Sequence, residues 1–271
     1  MPQTLGRSSV WFVTGASRGL GRAVVEAALT AGDRVIGAAR DVTPLADLAK
    51  ASRGRLMVLP LDVRDRAAVF TTVDRAAEAF GALDIVVNNA GRMLFGMVEE
   101  TAEAQARDHL DTNFFGALWV TQAVLPHLRK RGGGHLLQVT AANAGSGAAA
   151  FALYGAGKAA LNAMSQALAD EVAPFGITVT VLEPGGYDTE LFDRGTTTTK
   201  DPAYAAVRTA LYEQWSQATA PPPAPEAAAA AVLTLVREPH PPRRLTLNGP
   251  PPEQAEGNLS TGDDNPPGGR N

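Results

Sequence analysis

Short apolar runs alternate along this chain with longer stretches whose apolar residues recur at helical spacing. Val10–Thr14 is a continuous apolar run closed by Gly15, the pattern of a buried strand. Residues 20–31 carry apolar positions at helical period and stop at Gly32, a natural C-cap. Further strands are predicted at 34–39, 56–61, 85–87, 136–139 and 178–182. Helices are predicted at 43–51, 66–80, 101–131 and 154–172, with Pro126 expected to bend or break the last turns of the third. Strands alternating with helices predict an α/β class: a Rossmann-like, doubly wound parallel sheet of about seven strands with helices on both faces.

The pattern then changes. Prolines 221, 222, 223 and 225 precede an Ala-rich helix predicted at 226–237, and residues 245–247 read as a last short strand. Residues 250–271 are Pro, Gly, Asn and Asp with almost nothing to bury, the composition of a disordered tail. One domain over residues 1–249 followed by that tail is the expected organisation.

Composition narrows the chemistry. In 271 residues the apolar fraction is 45%, enough for a sizeable core, and the net charge of −4 gives no reason to expect nucleic acid or an anionic membrane. Cysteine is absent, which excludes disulfides and thiolate metal sites, and the four histidines show no ligand spacing, so no metal is expected. No apolar run approaches the ~20 residues of a membrane span, and the first nine residues lack the apolar stretch of a signal peptide. A cytoplasmic protein acting on a small molecule is the expectation.

The segment Thr14-Gly15-Ala16-Ser17-Arg18-Gly19-Leu20-Gly21 joins the first strand to the first helix. Glycines there permit a tight turn and close approach to a pyrophosphate, and the helix N-terminus offers unpaired N–H groups to it. Gly15, Ser17, Arg18, Gly19, Leu20 and Gly21 are therefore candidate cofactor contacts. The second strand ends in Ala39 and Arg40, where a carboxylate would repel a 2′-phosphate. Arg18 and Arg40 suit bidentate phosphate recognition, pointing to NADP(H), although Asp41 could partly neutralise Arg40.

Thr14–Gly21, Asn88-Asn89-Ala90-Gly91, Asn113, Tyr154-Gly155-Ala156-Gly157-Lys158 and Pro184-Gly185 occur in the order seen in the short-chain dehydrogenase/reductase family, which residues 9–195 resemble. The stretch 171–189 looks like bacterial members related to retinol and hydroxysteroid dehydrogenases. The resemblance implies that Gly15, Gly19 and Gly21 line the pyrophosphate and that Asp62, beside Val63, contacts the adenine. It further implies that Asn89, Ala90 and Gly91 pack beside the cofactor, that Pro184, Gly185 and Thr189 border the nicotinamide, and that Asn113 anchors a proton-relay water. Tyr154 would be the general acid–base and Lys158 its activator and ribose ligand. Members usually form dimers or tetramers, here through helices near 101–128 and 154–172.

The residues support that chemistry directly. Carbonyl reduction needs a proton delivered to a developing alkoxide, and a free tyrosine has a pKa near 10. Tyr154 and Lys158 are four apart and share a helix face, so the ammonium is expected to favour the phenolate. Asn113 is a poor helix-interior residue, and a local kink holding a water is its expected role.

One hydroxyl is missing. The family places a serine thirteen residues before the tyrosine, where this chain has Ala141, and losing one such donor costs about 10²–10³ in rate. Thr140, Asn143 or Ser146 could replace it. The substrate could need less help, as a polyphenolic ketone carrying its own donor would. Or the chain could run another reaction on a bound cofactor, as an isomerase, dehydratase or cyclase, or act as an NADP(H)-binding sensor. Met93, Phe95, Met97, Phe151, Tyr187 and Phe192 are expected around an apolar substrate, and residues 190–201 are expected to form a mobile lid.

Overall fold

The computed structural model describes residues 8–142, 144–145, 147–217 and 221–247, so Asn143, Ser146 and the predicted tail at 250–271 lie outside the described residues. The first half alternates as its periodicity requires: β1 (Val10–Thr14), α1 (Gly19–Thr30), β2 (Arg34–Ala39), a 3₁₀ turn (Thr43–Leu45) leading into α2 (Ala46–Ala51), β3 (Leu56–Pro60), α3 (Arg66–Phe80) and β4 (Ile85–Asn88). A two-residue strand β5 (Leu94–Phe95) and α4 (Glu103–Leu110) follow. Then come α5 (Gly116–Arg131), β6 (Gly134–Val139), α6 (Ala152–Val172) and β7 (Ile177–Pro184). β8 (Thr196–Thr197), α7 (Ala205–Ser216), α8 (Pro225–Leu235) and β9 (Arg244–Leu247) complete the described chain.

One seven-stranded sheet runs in the order β3-β2-β1-β4-β6-β7-β9, with all pairings parallel. The order reverses between β1 and β4, the switch point where open parallel sheets leave a crevice at their carboxyl ends. Side chains alternate across the strands and divide the core into two layers. Val10 and Phe12 pack with Val73, Val124 and Leu168 of α3, α5 and α6, whereas Trp11 and Val13 pack with Val24, Ala28 and Val232 of α1 and α8.

Three expectations change. The helix predicted at 101–131 is divided by a π-helical turn, Asp111–Phe115, centred on Asn113. That is the kink expected there, since a π turn inserts one residue into the helical ladder. Pro126, by contrast, does not end its helix, because α5 runs through it to Arg131 and the left-handed cap at Gly132. Residues 190–201, expected to be a mobile lid, are tied down at one end. β8 pairs in parallel with β5, with Thr196 N donating to Met93 O and Thr198 N to Phe95 O.

Candidate active site

The crevice at the switch point is closed from below by hydrogen bonds between β1 and β4. Thr14 Oγ1 accepts from the backbone N–H groups of Asn89 and Ala90 at 3.0 Å each. Asn89 Nδ2 donates to Thr14 O at 2.9 Å and Gly15 O at 3.1 Å. Gly15 and Gly19 have φ of +64° and +49°, which strain any other residue. A Cβ on Gly21 would lie 2.3 Å from Gly15 O, so the turn closes only around glycine. Arg18 occupies the N-cap of α1 without a side-chain cap, leaving first-turn N–H groups available to an anion.

From this turn a cavity of about 1020 Å³ runs in two directions. One end is lined by Ala39, Arg40, Asp62 and Val63, the other by Tyr154, Lys158, Pro184, Gly185 and Thr189, with Gly15, Ser17, Arg18, Gly19, Leu20, Asn89, Ala90 and Gly91 between them. Of the residues expected at the site, Gly21 and Asn113 do not line it; both stand one layer behind, where they shape residues that do.

The charges at the end lined by Arg40 and Asp62 form a network. Asp41 turns to its own loop, its Oδ1 accepting from Thr43 N at 2.9 Å, a bond that lowers its pKa. The charges of Arg18 and Arg194 lower it further. Arg64 clamps Asp62 through Nε, 3.0 Å from both oxygens, holding that carboxyl below its usual range. Arg64 also pairs with Asp108, which pairs in turn with Arg92, whose other nitrogen donates to Thr196 Oγ1. Arg40 is exposed beside this network.

Tyr154 and Lys158 lie on the first turns of α6, and Lys158 Nζ donates to Val139 O at 2.8 Å, 6.0 Å from the Tyr154 ring centre. Burial pushes Tyr154 up to about 12 and Lys158 down to about 8. Desolvation of the phenolate opposes the expected depression of the phenol, and the Lys158 ammonium is shared with Val139 O. Asn113 Oδ1 accepts from Arg92 N and its Nδ2 donates to Arg92 O, both at 3.0 Å, so the side chain clamps the loop after Gly91.

Two residues escaped sequence reasoning. The ring nitrogens of buried His109 lie 2.9 and 3.1 Å from Asn113 Nδ2, and the ring is 6.1 Å from that of Tyr154. Burial, with Lys158 and Arg92 nearby, lowers His109 to about 4 and keeps it neutral. Its position four residues before Asn113, on the same helix face, was the available signal. Trp215 lines the cavity from α7, where Val207, Leu211 and Trp215 recur every four residues.

The substrate end is apolar. Met93, Phe151, Phe192 and Trp215 line it, with Phe151 at 5.7 Å from Trp215 and 6.1 Å from Phe192. Phe95 packs behind, 5.3 Å from Phe151, and Met97 is buried away from the cavity. Tyr187 faces the cavity but spends its hydroxyl on Leu247 O at 2.9 Å. Ala141 and Ala142 line the wall beside Tyr154. Thr140, one candidate replacement for the missing serine, donates to Leu182 O at 3.0 Å instead. Among the described residues no cluster of His, Cys, Asp or Glu could hold a metal ion, and no helix is long and apolar enough to cross a membrane.

Comparison with known proteins agrees with this geometry. The family model for short chain dehydrogenases matches residues 9–200. The oxidoreductase BOA17 of Botryotinia fuckeliana is 41% identical over 184 residues, spanning 68% of this chain and 67% of that protein. A short-chain dehydrogenase from Streptomyces avermitilis superposes with a TM-score of 0.82 at 41% identity, covering 90% of this chain and 89% of the other. An alcohol dehydrogenase from Thermococcus sibiricus, solved with 5-hydroxy-NADP, gives a TM-score of 0.75 at 26% identity, over 89% and 96% of the two chains.

Proposed function

Because the chain belongs to the short-chain dehydrogenase family, we propose that it is a cytoplasmic NADP(H)-dependent oxidoreductase. It would move hydride between the nicotinamide and an apolar, aromatic or polyketide-like carbonyl or alcohol. The observation that carries this reading is the position of Tyr154 and Lys158 at one end of a cavity whose middle is the glycine turn.

The cleft fits a dinucleotide. Gly15, Ser17, Arg18, Gly19 and Leu20 would cradle the pyrophosphate against the open N-terminus of α1, with Gly21 behind them closing the turn, and Asp62 and Val63 would flank the adenine. Arg18 and Arg40, with Ala39 in place of a carboxylate, favour a 2′-phosphate. Asn89, Ala90 and Gly91 would pack beside the cofactor, and Pro184, Gly185 and Thr189 would border the nicotinamide, which supplies the hydride when bound. Tyr154, protonated at neutral pH, would give its proton to the carbonyl oxygen in the reduction direction. Lys158, still charged below pH about 8, orients the ribose and stabilises the phenolate left behind. Asn113 would anchor a relay water from its main chain, since its side-chain amide is committed to Arg92 and His109.

Titrating NADPH and NADH into the protein, followed by NADPH oxidation with a panel of ketones and quinones, tests this reading. NADPH is expected to bind at least about tenfold more tightly, and Arg40→Ala to erase most of that preference, since one phosphate contact contributes about 1.5–3 kcal/mol. Absence of NADPH binding would sink the proposal. A non-redox reaction on the same site draws its support from Ala141 alone, and product formed without NADPH consumption would favour it. The exposed Ala163 and Ala167 on α6 suit close packing in a homodimer or homotetramer.

A further inference from the structure

We propose that the substrates of this site are hydroxyaryl ketones, in which a ring hydroxyl hydrogen-bonds the carbonyl oxygen and supplies the second oxyanion donor that the side chains of the described residues do not. The inference rests on the reductase reading above and names its substrate class.

Several side-chain donors around the reacting end of the cavity are already engaged. Thr140 donates to Leu182 O, Tyr187 to Leu247 O, and Lys158 to Val139 O. Arg92 is committed to Asp108 and Thr196. Ala141 and Ala142 offer no donor. Ser17 and Thr189 also line the cavity, but in the reading above they face the pyrophosphate and the nicotinamide, which leaves the Tyr154 hydroxyl as the donor to the substrate oxygen among the described residues. A carbonyl reduced here would receive one side-chain hydrogen bond from the described residues where two are the useful number, a deficit of about 10²–10³ in rate. A peri- or ortho-hydroxyl closes that deficit from within the substrate, and its bond strengthens as negative charge develops on the oxygen. Phe151, Phe192 and Trp215 supply ring edges and faces for an aryl group.

The step balances as an ordinary reduction. A hydride from reduced nicotinamide forms the new C–H bond as the carbonyl π bond breaks. The Tyr154 proton forms the O–H bond, and a solvent proton restores the phenol. The products are the alcohol and oxidised cofactor.

The test compares tetralone with peri-hydroxytetralone in the wild type and in Ala141→Ser, which cancels the intrinsic reactivities of the two ketones. Ala141→Ser is expected to raise kcat for tetralone about 10²-fold while changing peri-hydroxytetralone less than about threefold. Calorimetric binding of the two ketones to wild type with NADPH omitted is expected to agree within about threefold, since the extra bond acts in the transition state. Equal gains on both ketones, or no gain on either, overturns the proposal. So does a tenfold loss on tetralone in Asn143→Ala or Ser146→Ala, which would place the second donor in the protein. NADPH binding without turnover of peri-hydroxytetralone overturns this substrate class alone; absence of NADPH binding overturns the reductase reading with it.

Discussion

At the scale of single residues, burial sets the chemistry more than pairing does. Tyr154 is raised and Lys158 lowered by the same desolvation, and the two shifts leave a neutral acid beside a cation at neutral pH. Tyr154→Phe should lower turnover about 10²–10⁴-fold with NADPH affinity unchanged, as read by steady-state kinetics beside equilibrium titration. Lys158 loses its proton above pH about 8, so kcat/KM should fall on the alkaline side of that value, and Lys158→Arg should carry the fall to higher pH. His109 belongs to the same neighbourhood. His109→Leu leaves an Asn113 N–H without its acceptor, a loss of about 1–3 kcal/mol, while His109→Gln keeps an acceptor. Thermal melts and kcat should both fall in the first variant and recover in the second. Tyr154, Lys158 and Asn113 were legible in the sequence because helical spacing and ordered motifs place them. His109 and the raised phenol pKa were not, since both depend on which elements close over α6.

At the scale of elements, long periodic segments were legible and short ones were not. α1, α3, α6 and the strands of the main sheet follow from period and caps. β5 and β8 have two residues each, too few for a period, and form because they meet. Their junction is organised by Glu100, whose side chain is 1% exposed. Its carboxylate accepts from Met97 N at 3.0 Å, Thr198 Oγ1 at 2.8 Å, Asp201 N at 2.8 Å and Arg208 Nη1 at 2.6 Å. Burial pushes its pKa up, but these donors outweigh it and hold the group down to about 2. A carboxyl whose folded pKa is depressed contributes stability above its unfolded value of about 4.3, lost as pH falls toward about 2. Glu100→Gln should therefore speed hydrogen exchange in β8 and α7 and raise KM for aryl substrates that touch Trp215, with NADPH affinity intact. Residues 190–201, which hold β8, read as a mobile lid in the sequence because Glu100, which pins this stretch, lies about a hundred positions upstream.

At the scale of the whole molecule, two buried histidines make the fold acid-sensitive. His135, which bonds Thr180 Oγ1 at 2.9 Å, and His109 are both lowered to about 4. Their folded pKa values lie below the unfolded 6.5, so the unfolded chain takes up protons first. Stability is full above pH about 6.5 and declines as pH drops toward about 4, by roughly 3 kcal/mol per histidine at about 1.4 kcal/mol per pKa unit. Melting temperature should follow that decline, and His135→Gln should remove about half of it.

The central claim is that this cleft transfers hydride with Tyr154 as proton donor. Its most direct test is a single turnover with NADPH carrying deuterium at the transferable position, in wild type and Tyr154→Phe. Deuterium on the carbinol carbon of the product, one per NADPH consumed and appearing about 10²–10⁴-fold more slowly in the variant, is the predicted result. Product that forms without deuterium and without NADPH loss would contradict it.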